Sequence, residues 1–261
     1  MPAFGAFAAL HPDFEEEVRA GIQMADSLTV DAHKWLNVPY DCALFYTRFP
    51  ELHQAVCGPG GVIPAYLNHG PSTTSSTSTS TGPMIPSPLN VRIENSARFR
   101  ALPLCASLVC YGKGGYRDIV QRNIIFARRV EAWLYLHPKY DVLTPLSTTC
   151  DITTIADEQA GERGSYRILN IVLFAPSAGC GVARYLDPAK GGMEMVKSIN
   201  ETGKMYVTGT KWKGRSATRL AVSNHLTGLA GEDSDGQGQG QGMERDLDIV
   251  FRRLEAVMHD G

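Results

Sequence analysis

An α/β architecture followed by a small α+β unit is the fold class the sequence predicts, on three observations. Strand-like runs alternate with helical periodicity through the first half. Beyond Pro138 the runs become shorter and richer in β-formers. Two biased segments, Ser/Thr-rich at 71–89 and Gly/Gln-rich at 232–242, punctuate the pattern. We place a first domain at residues 1–128 and a second at 129–261.

The elements follow in order. Asp13 with Glu16 three residues on reads as a capping pair, and Phe14, Val18 and Ile22 recur at helical spacing, so a helix over 13–24 is expected to pack onto the strand at 27–30. Ala43-Leu44-Phe45-Tyr46 reads as a second, apolar strand. The run 72–81 is serine and threonine throughout, a flexible loop by composition. From Ser96 the pattern turns helical with Phe99, Leu102 and Ala106 on one side. A second helix over 116–136 carries Ile119, Ile124, Ala127, Val130 and Leu134, and both are expected in the core. In the second domain, 141–146 and 167–174 read as strands, 182–199 as a helix, and 204–210 with 218–223 as paired strands. After the linker, Met243, Leu247, Val250, Phe251, Leu254 and Val257 define a closing amphipathic helix.

Composition narrows the function classes. With 261 residues and 43% hydrophobic content there is material for a substantial core, and a net charge of -2 gives no electrostatic case for nucleic-acid or membrane partners. The six cysteines, at 42, 57, 105, 110, 150 and 180, have no C-x-x-C spacing, so neither a metal site nor a disulfide framework is suggested. No apolar stretch approaches the roughly 20 residues of a spanning helix, and no basic region precedes an apolar one at the start; a cytoplasmic protein is the expectation.

The chemistry concentrates in Asp31-Ala32-His33-Lys34-Trp35, between the two strand-like runs of the first domain. A lysine amine, with an ordinary pKa near ~10.4, attacks a carbonyl only after losing its proton, which burial or a nearby cation favours. Trp35 and Leu36 could supply apolar surroundings for Lys34, while His33 could face an anion such as a phosphate. The plainer alternative is a surface lysine beside a structural histidine. Arg98, Arg100 and Arg219 are weaker anion-site candidates, the first two read mainly as structural ion pairs.

Several separate blocks carry a resemblance. They include Ala3-Phe4-Gly5-Ala6-Phe7, Ala25-Asp26-Ser27, Asp31 to Leu36, Tyr40-Asp41-Cys42-Ala43, Ala65-Tyr66-Leu67, Arg98 to Leu104, Gly112 to Tyr116, Thr208-Gly209-Thr210 and Arg219 to Asn224. In these blocks, in this order, the sequence resembles the pyridoxal-phosphate-dependent group II amino-acid decarboxylases, matching their C-terminal half. The resemblance implies the large domain of pyridoxal-phosphate fold type I, aspartate-aminotransferase-like and truncated here, so that 1–128 is a remnant of a cofactor-binding domain and 129–261 the small C-terminal domain. It implies that Lys34 forms a Schiff base with pyridoxal 5'-phosphate, with His33 near the phosphate, and that the reaction is decarboxylation of an amino-acid substrate by a carboxy-lyase. A homodimer, or pairing with a full-length relative, is the implied assembly.

The departures shape the expectation. In relatives an aspartate pairs with the cofactor's ring nitrogen; here Met1 falls at its place, and the long N-terminal portion with most phosphate ligands is absent. No tyrosine stands between Tyr66 and Tyr111, where relatives often carry a loop tyrosine that returns a proton. Cys105 and His225 replace tryptophans, changes read as packing. A non-catalytic fragment or pseudoenzyme, acting as a dimerising structural or regulatory partner, is therefore the alternative expectation. Dopa, tyrosine, tryptophan and glutamate all remain open as substrates.

Overall fold

The structure is a computed structural model that describes residues 4–58, 91–94, 96–143, 168–229 and 239–259, with the backbone alone at 239 and 240. The loop at 71–89 and residues 232–238 of the expected linker lie outside the described residues, whereas 239–242, also expected in that linker, already form the start of the closing helix.

The N-terminal unit opens with a 3₁₀ turn, Gly5–Leu10, and helix α1, Glu15–Met24. Three glutamates in the first turn of α1 suit the positive end of the helix dipole. The capping expectation needs correction. Phe14 occupies the N-cap with no side-chain cap, because the Asp13 carboxylate turns to Arg128 of a distant helix, 2.7 Å away. The principal neighbour of α1 is the preceding 3₁₀ turn rather than the following strand. Strands β1, Ser27–Asp31, and β2, Ala43–Thr47, pair antiparallel from Ser27↔Thr47 to Asp31↔Ala43. Arg48, just past β2, donates through Nε to the Ala25 carbonyl at 2.8 Å and through its other arm to that of Gln23, closing the end of α1. Helix α2, Pro50–Cys57, follows with proline at its start, where no intrahelical donor is needed.

Helix α3, Ala101–Leu136, joins the two units and contains one non-helical residue, Gly112, at φ 57° and ψ -175°. Only glycine takes that conformation without steric cost, so the two expected helices meet here with a sharp break. The second stretch is core as expected. Ile119, Ile124, Ala127, Val130 and Leu134 are all buried. The first is not: Phe99 and Leu102 are 70% and 60% exposed, and only Leu104 of that turn is buried, since no described element covers its outer side.

The C-terminal unit is a four-stranded antiparallel sheet in the order β3-β4-β6-β5, formed by Tyr140–Val142, Ile171–Pro176, Arg215–Ala221 and Thr208–Trp212. The expected pairing of the last two strands is present with other bounds: 208–212 in place of 204–210, and 215–221 in place of 218–223. They are joined by Lys213 and Gly214, both at positive φ, as a tight hairpin demands. The face carrying Val172, Phe174, Thr218 and Leu220 is buried under α3, helix α4, Gly191–Glu201, and helix α5, Gln239–Val257. The expected helix over 182–199 begins later, at Gly191, because the chain first makes a 3₁₀ turn at Ala183–Tyr185 and then meets Pro188, which cannot continue a helix from before it. Met243, Leu247, Val250, Leu254 and Val257 of α5 are buried and Phe251 packs against them. Two cores result, and both draw on α3: Tyr116 to Ile124 belong to the first, Phe126 to Leu134 to the second. Among the described residues no helix is long and apolar enough to cross a membrane.

Candidate functional site

Lys34 lies on the turn that leaves β1. That turn is gripped from several directions. The Cys42 carbonyl accepts from the backbone N–H groups of Ala32 and His33 at 2.9 and 3.2 Å, and the Asn37 N–H closes onto the Lys34 carbonyl at 3.0 Å. From α3, Ser107 Oγ and Tyr116 Oη donate to the Leu36 carbonyl at 2.6 and 3.2 Å. Burial pushes the Tyr116 phenol above its ordinary pKa, so it stays a protonated donor across the physiological range.

Trp35 is the deepest anchor. Its indole is almost wholly buried, Phe4 meets it edge-on with ring centroids 5.0 Å apart, and its Nε1–H donates to Asn123 Oδ1 at 2.8 Å. Asn123, on α3 and fully buried, passes the connection on through Nδ2 to the Asn224 carbonyl at 3.1 Å, in the loop after β6. Arg122 beside it donates to the carbonyls of His225, at 3.1 Å, and Thr227. Burying a polar amide is costly unless its groups are paired; here both ends of Asn123 are satisfied.

With Trp35 and Leu36 committed to the core, the Lys34 side chain leaves in another direction. It is 32% exposed, its Nζ sits 5.6 Å from the centroid of the Phe4 ring, and it forms an ion pair with Asp31, three residues earlier. The Lys34 hydrogen bond, aided by the charges of Lys34 and His33, holds the Asp31 carboxyl below the usual range against the opposing effect of burial. The apolar surroundings expected from Trp35 and Leu36 are thus replaced by one aromatic face and one carboxylate.

His33 is fixed through Nδ1, which donates to the Cys42 carbonyl at 2.9 Å, and its ring lies 4.4 Å from that of Tyr40. A neutral ring with its proton on Nδ1 leaves Nε2 as an acceptor; a second proton there makes it a cation that can face an anion. Next to Tyr40, Asp41 binds Arg98 at 2.5 Å and Arg100 at 3.1 Å, so these arginines serve a structural ion-pair cluster. The Asp41 carboxyl is pulled to about 2 chiefly by the Arg100 hydrogen bond. Arg219 shares a sheet face with its register partners Leu173 and Thr208, on the C-terminal sheet. Cys105 is exposed rather than packed, and His225 lies 6.3 Å from Tyr111, edge-on.

The structure therefore brings Lys34 and His33 together at one strand end, and adds Asp31, Phe4, Tyr40 and Asn123, to which sequence reasoning gave no role. Asp31 had a legible signal, its three-residue spacing from Lys34 across a turn. Asn123 had none, since its partners stand 88 and 101 residues away. Two cavities of about 240 and 420 Å³ lie in the C-terminal unit, the first beside Asp141, Ser177 and Arg215, the second beside Phe126, Met205 and Val250; neither is lined by Lys34 or His33.

No family model matches the chain. In sequence, 229 residues, 87% of the chain, are 25% identical to tyrosine decarboxylase 3 of parsley, Petroselinum crispum, and span 38% of that protein. An aromatic-L-amino-acid decarboxylase of Bacillus atrophaeus is 33% identical over 128 residues, 48% of this chain and 24% of that one. In structure, the crystal structure of Oryza sativa TDC with PLP and tryptamine matches at a TM-score of 0.69 and 19% identity, covering 100% of this chain and 44% of that one. The chain is thus similar to pyridoxal-phosphate amino-acid decarboxylases in sequence and shares their fold, as a partial α/β structure spanning less than half their length.

Proposed function

We propose that this chain is part of a pyridoxal-phosphate-dependent amino-acid decarboxylase, a carboxy-lyase whose cofactor is held by Lys34. The reading is supported by a lysine and a histidine adjacent in sequence on a hydrogen-bonded strand-end turn, in a chain similar to such enzymes over most of its length.

The residues present fit the cofactor at its aldehyde, where a lysine amine is the required partner, and offer one cation-forming group, His33, for its phosphate. When bound, pyridoxal phosphate supplies the sink for the electron pair left as the carboxylate departs. The chain's own contribution is orientation. Trp35 and the doubly gripped Leu36 carbonyl fix the backbone on one side of Lys34, the Cys42 carbonyl fixes it on the other, and the amine is left to move on its flexible stem alone. The Phe4 ring screens one side of the amine from water. The described residues do not enclose a whole cofactor, and the remaining walls belong, in this reading, to the portion of the relatives' length that the chain does not span. The test is to add pyridoxal phosphate, reduce with borohydride and map the adduct by peptide mass spectrometry. We expect Lys34 to carry the label, and Lys34→Ala to lose it; labelling spread over other lysines with Lys34 unmodified would sink the reading.

A second reading has its own observation. Phe45, Tyr46, Phe49, Leu52, Val56, Phe99, Leu102 and Val109 are exposed on the N-terminal unit, an apolar surface suited to association. On this reading the chain is a non-catalytic structural or regulatory partner in a dimer. Carbon dioxide release from aromatic or acidic amino acids well above that of free cofactor would argue against it.

A further inference from the structure

We propose that Asp31 is the counter-ion that holds Lys34 in its unreactive ammonium form and so slows its attack on a carbonyl. The inference deepens, and rests on, the reading of Lys34 as the amine that condenses with a carbonyl. Geometry carries it. The backbones of both residues are locked, Asp31 by its place at the end of β1 and Lys34 by the grips on either side of it, so the two side chains meet across a fixed three-residue step. Both are partly shielded, at 24% and 32% exposure, and the Phe4 ring closes one flank of the ammonium. Among the described residues His33 also favours the ionised form of the Asp31 carboxylate.

An ammonium has no lone pair, so a paired Lys34 cannot attack. Its proton must pass to solvent before a carbon–nitrogen bond forms, because the neighbouring carboxylate is a weaker base than an amine by roughly six orders of magnitude. Asp31 is thus a brake and not an acceptor. Removing it leaves the amine freer to shed its proton, while the turn that carries it stays in place.

Competitive labelling with trace acetic anhydride at neutral pH tests this without any cofactor. Lys34 is read against Lys139, whose ammonium donates to the Met258 carbonyl at 3.0 Å and which reports on the fold. In Asp31→Asn we expect the Lys34-to-Lys139 labelling ratio to rise about two- to fivefold, the range set by ion pairs of this exposure. Asp31→Glu keeps the charge and should keep the parental ratio. An unchanged ratio in Asp31→Asn, or an equal rise in Asp31→Glu, overturns the proposal whether or not the fold loosens. Borohydride mapping on the same variants separates the two ideas: a raised ratio with no pyridoxal phosphate adduct at Lys34 keeps the role of Asp31 and removes the cofactor reading.

Discussion

At the scale of single residues, Asn123 bears more structural weight than its size suggests. It sits mid-helix, fully buried, with its carbonyl taken by the Trp35 indole and its amide by the Asn224 carbonyl. Replacing it by leucine keeps the branching but adds volume and leaves the buried Trp35 indole N–H without its acceptor, so we expect Asn123→Leu to cost about 1–3 kcal/mol of stability. Urea unfolding followed by Trp fluorescence measures it, with Trp35 itself among the reporters. A loss well below that range would mean that the indole N–H finds another acceptor. The contrast with Asp41 is instructive. That carboxylate binds two arginines, but all three side chains are substantially exposed, and ion pairs in water contribute little.

At the scale of elements, the contact between α4 and β6 depends on the absence of a side chain. A Cβ at Gly192 would lie 2.6 Å from the backbone of Ser216, and one at Gly191 would lie 2.0 Å from the Tyr185 carbonyl oxygen. The Thr218 hydroxyl donates to the Gly192 carbonyl at 3.2 Å across the same contact. We expect Gly192→Ala to push helix and strand apart at a cost of about 1–3 kcal/mol or more, read as a lowered unfolding midpoint together with faster amide exchange along β6. The elements themselves were legible in the sequence to different depths. The stretch 116–136 and the closing helix were clear because a long periodic apolar stripe leaves little freedom. The start of α4 was misplaced, although Pro188 and the Gly191-Gly192 pair were signals for it. The cap at Asp13 went to a partner 115 residues away, which no local rule weighs. At the site, Lys34 and His33 stood out from their neighbours in the chain, whereas the direction of the Lys34 side chain depended on Trp35 finding Asn123, a matter of tertiary packing.

At the scale of the whole molecule the two units differ in how well they are closed. The C-terminal sheet has three helices over its inner face and a continuous core from Phe126 to Met258. The N-terminal unit has a two-stranded sheet with both outer edges unpaired among the described strands, and apolar side chains turned outward along β2, α2 and the start of α3. Unpaired strand edges and apolar surface favour association. We therefore expect the isolated chain to elute from gel filtration as an oligomer or aggregate, and its β1 and β2 amides to exchange with solvent before those of β4 and β6. A sharp monomer peak with one cooperative melt would contradict this. The connection through Asn123 has a mechanical corollary. Because one amide group ties the indole next to Lys34 to the loop beyond β6, the lysine-bearing turn and the C-terminal sheet share a buried hinge point besides the helix that joins them.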